Sequence, residues 1–198
     1  MFRQFVFYYF KTGNYSFRII DPESEDGCFR AYYSENEGGV VDTYEDDVVH
    51  FFNTQTRLDN ALRQEVDPLI DKHLDKKKIT VDAVTLGEEF GFATCFVEGV
   101  AQKEIDACLS LDMKADAKNI PIPTQIVLSL HTDEAESFRR AMELAGEISA
   151  LGYSIDFYDF YTSGNYYQMV PTEKLLKAKS VDDLEEFIMD DYDIPKED

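Results

Sequence analysis

Two stretches of the chain share one pattern of apolar and polar positions: "FYYFKTGNYSFRI", from Phe7 to Ile19, and "FYDFYTSGNYYQMV", from Phe157 to Val170. Each is an aromatic-dense run, a Gly-Asn pair and a second aromatic run. That is the pattern of a two-stranded hairpin, with Gly or Asn supplying the positive φ of a tight turn. The ribbons are therefore candidate counterparts in two related halves. In the first, Phe5, Phe7 and Tyr9 alternate with Val6, Tyr8 and Phe10. Both faces are apolar, which predicts a strand inside a sheet covered on both sides, and not an edge.

Periodicity assigns most of the remainder. Phe29 to Tyr33 reads as a short strand between loops at Pro22–Gly27 and Ser34–Gly39. Thr56 with Asp59 forms a capping-box pattern ahead of Leu58, Leu62 and Val66, spaced by four. Pro68 would break that helix and start another, capped by Asp67 and closed by the cations Lys76, Lys77 and Lys78. Strands are expected over Ile79–Val84 and Phe90–Val97, joined through Gly87. A helix is expected over Ala101–Met113 with Ile105, Cys108, Leu109 and Met113 inward.

The last third is plainest. Thr124–Leu130 reads as a strand, and Asp133 with Glu136 caps a helix running to about Leu151, where Gly152 ends it. That helix buries Phe138, Met142, Leu144, Ala145, Ile148 and Leu151, and Tyr153–Tyr161 forms the next strand. Ser180 with Asp183 caps a final short helix containing Val181, Leu184, Phe187 and Ile188. Together these elements predict an α+β fold: helices packed on a largely antiparallel sheet, ending in a strand-helix-strand unit plus hairpin. It forms either one compact domain or two parts, 1–113 and 124–198, divided at Lys114–Pro123.

Charge changes the picture more than length does. The 198 residues hold 40 acids and 19 bases, a net charge of −21, so attraction to phosphate backbones or anionic membranes is opposed and partners should be basic. The excess is local. Residues 21–47 carry ten acids (Asp21, Glu23, Glu25, Asp26, Glu35, Glu37, Asp42, Glu45, Asp46, Asp47) against Arg30, and residues 181–198 carry nine against Lys196. The other 153 residues hold a net charge of only −4.

If the last helix persists, Asp182, Asp183, Glu186, Asp190 and Asp193 fall away from its apolar face. Asp182, Glu186, Asp190 and Asp193 then recur about 4.5 to 6 Å apart along the axis, comparable with phosphates on one strand of DNA. In the first block Glu35, Glu37, Asp46 and Asp47 are interleaved with Tyr32, Tyr33 and Tyr44, aromatics of the kind that anchor interfaces.

Catalytic patterns are absent. His50, His73 and His131 show no ligand spacing, and no phosphate-binding, dinucleotide or nucleophile-elbow motif occurs. "DPESEDG" departs from a calcium loop at the glycine and at the twelfth position, which leaves an acidic surface loop. Asp156 and Asp159, three apart on a strand, face opposite sides. Cys28, Cys95 and Cys108 lack CxxC spacing, and Cys95 and Cys108 read as buried apolar residues. No leader-like segment or bilayer-length apolar run is present, so a cytoplasmic protein is expected.

The expectation is an acidic interaction protein without cofactor, metal or catalytic residues. It would bind and inhibit a basic nucleic-acid-binding effector or nuclease, partly by nucleic-acid mimicry. Anti-CRISPR and anti-restriction inhibitors behave this way, an analogy through charge only. The alternatives are an immunity protein that neutralises a basic toxin and a metal-dependent enzyme whose carboxylates converge on folding.

Overall fold

The computed structural model describes residues 3–9, 14–75, 80, 81, 84, 85 and 88–189. In chain order the elements are β1 (Arg3–Tyr9), β2 (Asn14–Ile20), β3 (Cys28–Ser34), β4 (Gly39–Asp42), a π-helical turn (Glu45–Val49), α1 (Phe52–Ile70), a 3-10 turn (Asp71–His73), β5 (Thr80–Val81), β6 (Val84–Thr85) and β7 (Phe90–Thr94). They continue with α2 (Gln102–Cys108), β8 (Gln125–Ser129), α3 (Glu134–Ala150), β9 (Phe157–Tyr161), β10 (Tyr166–Pro171), α4 (Thr172–Lys177) and a 3-10 helix (Val181–Phe187). The fold is α+β. No helix among the described residues is long and apolar enough to cross a membrane.

The chain forms two compact units, Met1–Leu58 with Gly99–Ala115, and Asp59–Glu98 with Asp116–Asp198. The first unit holds a four-stranded antiparallel sheet in the order β1-β2-β3-β4. Successive hairpins put β2 between β1 and β3, so β1 is an edge strand and not the expected inner one. Apolarity on both faces of a strand reports what covers the faces, not how many strands flank it.

The second unit holds a mixed sheet, β10-β9-β8-β7, in which only β8 and β9 run parallel. The crossover α3 between them matches its expected bounds. Asp133 Oδ1 accepts the Glu136 N–H at 2.9 Å, and Gly152 leaves the helix at φ +86°. Phe138, Leu144, Ala145 and Ile148 are buried as expected, joined by Ser137 and Ala141. Leu151 is exposed, because it lies beyond the last helical residue, Ala150. These residues pack with Leu62, Val66, Ile126, Leu128, Tyr158, Phe160 and Tyr167 in one core. At Gly91 an added Cβ would approach Ile70 Cγ2 and Leu128 Cδ2 to 2.8 Å, so only glycine fits between them.

Both ribbons are antiparallel hairpins at a sheet edge, β1–β2 and β9–β10. Their likeness stops there, since β2 continues to an antiparallel neighbour and β9 to a parallel one. Gly13 lies outside the described residues. At the second turn neither Gly164 nor Asn165 takes a positive φ. Thr162 closes it instead, its N–H bonding the Asn165 carbonyl at 2.9 Å and its Oγ1 accepting the Asn165 N–H at 2.8 Å. The positive φ falls at Met169 (53°), inside a bulge of β10 held by Asp159, which accepts the Met169 N–H and the Tyr166 hydroxyl at 2.6 Å each.

Several expected boundaries move. α1 begins four residues before Thr56, and Asp59 does not cap it. Its buried Oδ1 accepts the Thr94 hydroxyl at 2.8 Å and the Cys95 N–H at 2.9 Å, beyond the end of β7. Pro68 does not break the helix: α1 runs two residues past it to Ile70 and passes into a 3-10 turn over Asp71–His73. The strand expected over 79–84 is instead two short strands, β5 and β6, that pair with each other, while β7 pairs with β8. Lys76, Lys77, Lys78, Ile79 and Gly87 lie outside the described residues. α2 ends at Cys108, and with Ile105 and Leu109 buried its sulfur side is exposed, not inward.

Candidate partner-binding surface

The β3–β4 hairpin is shaped by its own polar residues. The Glu37 N–H bonds Ser34 Oγ at 3.3 Å, and the Gly38 N–H bonds the Glu35 carbonyl at 3.2 Å. Gly38, at φ +68°, supplies the left-handed step. Glu35 and Glu37 are left exposed at the tip. Beyond β4, Thr43 ties the chain back to β3: its N–H bonds the Arg30 carbonyl at 2.9 Å, and its Oγ1 accepts the Arg30 N–H at 3.0 Å. The same hydroxyl donates to Asp47, and Glu45, Asp46 and Asp47 occupy the first turn of the π-helical segment, where a helix favours negative charge.

Register decides what shares a face. Phe17 lies opposite Ala31, Ala31 opposite Asp42, and Tyr33 opposite Val40, so Phe17, Tyr33, Val40 and Asp42 stand on one side of the sheet. All four are exposed, Tyr33 by 52% and Val40 by 77%. Tyr44, also exposed, meets Phe29 of the same face edge-on at 5.1 Å. Glu35, Glu37, Asp42 and Asp46 make no ion pair among the described residues. The result is an apolar stripe with an unpaired acidic rim along the edge strand β4. Tyr32 lies on the opposite face, and Asp47 is half-buried. Phe17, Val40 and Asp42 are additions that only strand pairing could identify.

The second acidic block is built differently. Val181–Phe187 is a 3-10 helix closed by the Ser180–Asp183 capping box, with Leu184 buried. At three residues per turn Asp182 and Glu186 lie about 120° apart around the axis, so they do not form the expected row. The helix ends because Ile188 bridges Tyr167 in β10 and the Met189 N–H bonds the Tyr166 carbonyl. The Asp183 carboxylate accepts the Lys179 and Ser180 N–H groups, which hold it below its ordinary value, and Glu186 pairs with Lys174 at 3.1 Å. Asp190 and Asp193 lie outside the described residues.

Other polar residues singled out in the sequence make contacts within the fold. Asp26, read as part of a surface loop, is only 3% exposed and bonds Arg57 and Thr54. Asp156 accepts from Thr124 while Asp159 holds the β10 bulge, so they share no site. Burial, with the Asp59 carboxylate beside it, pushes the Cys95 thiol up and keeps it protonated. His50 Nδ1 lies 2.8 Å from Asp106 Oδ2, which raises the imidazole above its ordinary value of 6.5, and His73 meets Glu147 at 2.8 Å. In the second ribbon Tyr158 and Tyr167 are buried, and Tyr161 stacks on Tyr166 at 4.0 Å. No group of three or more His, Cys, Asp or Glu side chains that could hold a metal occurs among the described residues. No protein-family model matches the chain, and no match was found among curated proteins or solved structures.

Proposed function

We propose that this protein binds a basic, nucleic-acid-handling protein through the Phe17–Tyr33–Val40–Tyr44 stripe, and that the acidic rim keeps the partner's cationic groove from phosphate backbones. The observation that carries this reading is the coincidence of exposed aromatic residues on one face of the sheet with Asp42 on that face, Glu35 and Glu37 at the hairpin tip and Asp46 just beyond β4, none of which makes an ion pair among the described residues. Each component has a separate job. Exposed Tyr residues supply buried anchors at low entropic cost, while carboxylates steer encounter and set orientation.

The C-terminal acids take a lesser part, because the straight carboxylate row that mimicry would use is not formed by Asp182 and Glu186. The reading is thus a bent acidic rim around an apolar centre, acting as an inhibitor by occupancy of a Lys/Arg groove.

With a partner captured from the native host, raising salt from 0.1 to 1 M shortens the Debye length from about 10 Å to about 3 Å. The association rate should fall steeply, because steering is the long-range part of the interaction. Tyr33→Ser should act on dissociation instead, weakening binding by about 2 kcal/mol, roughly thirtyfold, as central aromatic anchors do. Surface plasmon resonance separates the two effects. Salt-independent association with an unchanged Tyr33→Ser dissociation rate would remove this surface from consideration.

A further inference from the structure

The opposite face of the same sheet carries an arrangement the acidic reading does not use. Register sets Arg18 of β2 directly opposite Arg30 of β3. Like charges so placed weaken a sheet. Both are exposed, and neither makes an ion pair among the described residues, although Arg57, Arg63, Arg139 and Arg140 each hold a carboxylate. In a chain with 40 acids to 19 bases, two facing arginines left without carboxylates are a costly placement.

They border a cavity of about 410 Å³, within the range of small-molecule sites. Ser16, two residues before Arg18 and on its face, also lines it. Ser16 is only 7% exposed, and its buried Oγ has no hydrogen-bond partner among the described residues. A buried hydroxyl without a partner is costly unless something arrives to satisfy it. The first two turns of α1 bring Asn53 and Thr56 to the cavity, and the positive end of a 19-residue helix favours an anion there. Two features of the wall are not anion-seeking: Phe52, 49% exposed, and Asp47. An aromatic face and a carboxylate acceptor suit a flat ring and a sugar hydroxyl or amino group.

We propose that this cavity binds a mononucleotide. Its phosphate lies between the Arg18 and Arg30 guanidiniums and accepts the Ser16 hydroxyl, and its nucleoside part lies toward Phe52 and Asp47. The guanidinium fork matches phosphate oxygens in pairs, and short-range charge-assisted bonds outweigh a long-range negative field that salt screens within about 8 Å.

The test is calorimetric titration of the full chain with AMP, GMP, CMP and UMP, with adenosine and inorganic phosphate as separate arms, on the wild type and on Arg18→Gln, Arg30→Gln, Arg18→Lys and Ser16→Ala. At least one nucleotide should bind, more tightly than phosphate, and adenosine should not register. Each Arg→Gln change should weaken nucleotide binding by about tenfold or more, with Arg18→Lys and Ser16→Ala intermediate. Without ligand, Arg18→Gln should melt no lower than the wild type, because it relieves the facing charges. Absence of nucleotide binding at millimolar concentration would overturn the proposal. So would equal binding of phosphate or adenosine, or undiminished binding by Arg→Gln variants that melt as the wild type does. None of these results depends on the protein partner, which is measured on the other face.

Discussion

Replacing Asp26 by Ala should destabilise the protein by about 3–5 kcal/mol, the loss expected when one member of a buried ion pair is removed. Asp26 sits at the centre of the first unit's polar network. Its carboxylate accepts from Arg57 Nε and a second guanidinium nitrogen at 2.8 Å each, from Thr54 Oγ1 at 2.6 Å and from the Asp112 N–H at 3.2 Å, while its own N–H bonds Asp112 Oδ1 at 2.8 Å. Deleting it leaves the Arg57 guanidinium, among the described residues, with the Met113 carbonyl and the more distant Glu25, 3.7 Å away. Urea denaturation of Asp26→Ala, Arg57→Met and the double variant Asp26→Leu/Arg57→Met measures this. The double variant should recover much of the loss, because no unpaired buried charge remains. A loss below about 1 kcal/mol in Asp26→Ala would show the pair to be dispensable.

The second unit should respond similarly at Glu89 and Arg140. Glu89 is 3% exposed, and its Oε1 accepts Arg140 Nη1 at 2.8 Å, while Arg140 Nε also donates to the His73 carbonyl at 3.0 Å. Arg140→Met should cost about 3–5 kcal/mol by stranding the carboxylate, read by the same denaturation. Burial works to raise the pKa values of Glu89 and Asp26. Their arginine partners and backbone N–H donors outweigh it and hold both below their ordinary values of 4.5 and 3.8. A depressed folded value gives stability that is fully present above the unfolded value and lost as pH falls through the folded one. Acidification below about pH 4.5 should therefore unfold the wild type progressively, with a shallower slope in Asp26→Asn. Equal slopes would mean that Asp26 titrates alike in both states.

What the sequence conveyed, and what it did not, follows the range of each interaction. The caps at Asp133 and Ser180 and the strand at Cys28–Ser34 were legible because their determinants lie within a few residues. Asp26 was read as a surface acid because its partner, Arg57, stands 31 positions away. Asp59 was read as a cap because its bonds to Thr94 and Cys95 are equally remote. The acidic aromatic surface was half legible: Tyr33, Tyr44, Glu35 and Glu37 stood out by composition. That Tyr32 faces the other way, beside Arg30, and that Phe17 and Val40 join Tyr33, needed the register of three strands. Asp182 and Glu186 leave the expected row for a similar reason. Tyr167 draws Ile188 into a bridge, ending the helix after two turns.

Position, and not total charge, should govern partner binding, and one comparison isolates it. Glu35→Gln, Glu37→Gln, Asp42→Asn and Asp46→Asn remove four charges around the apolar stripe. Glu88→Gln, Glu98→Gln, Glu143→Gln and Glu173→Gln remove four exposed charges from the second unit. Both quadruple variants carry the same net charge, so affinity for a captured basic partner, measured side by side at 0.15 M salt, separates a located surface from a general acidic coat. At least a tenfold loss, about 1.4 kcal/mol, is expected for the hairpin set and almost none for the other. Equal losses in the two sets would contradict it, and would reduce the acids to a solubilising charge.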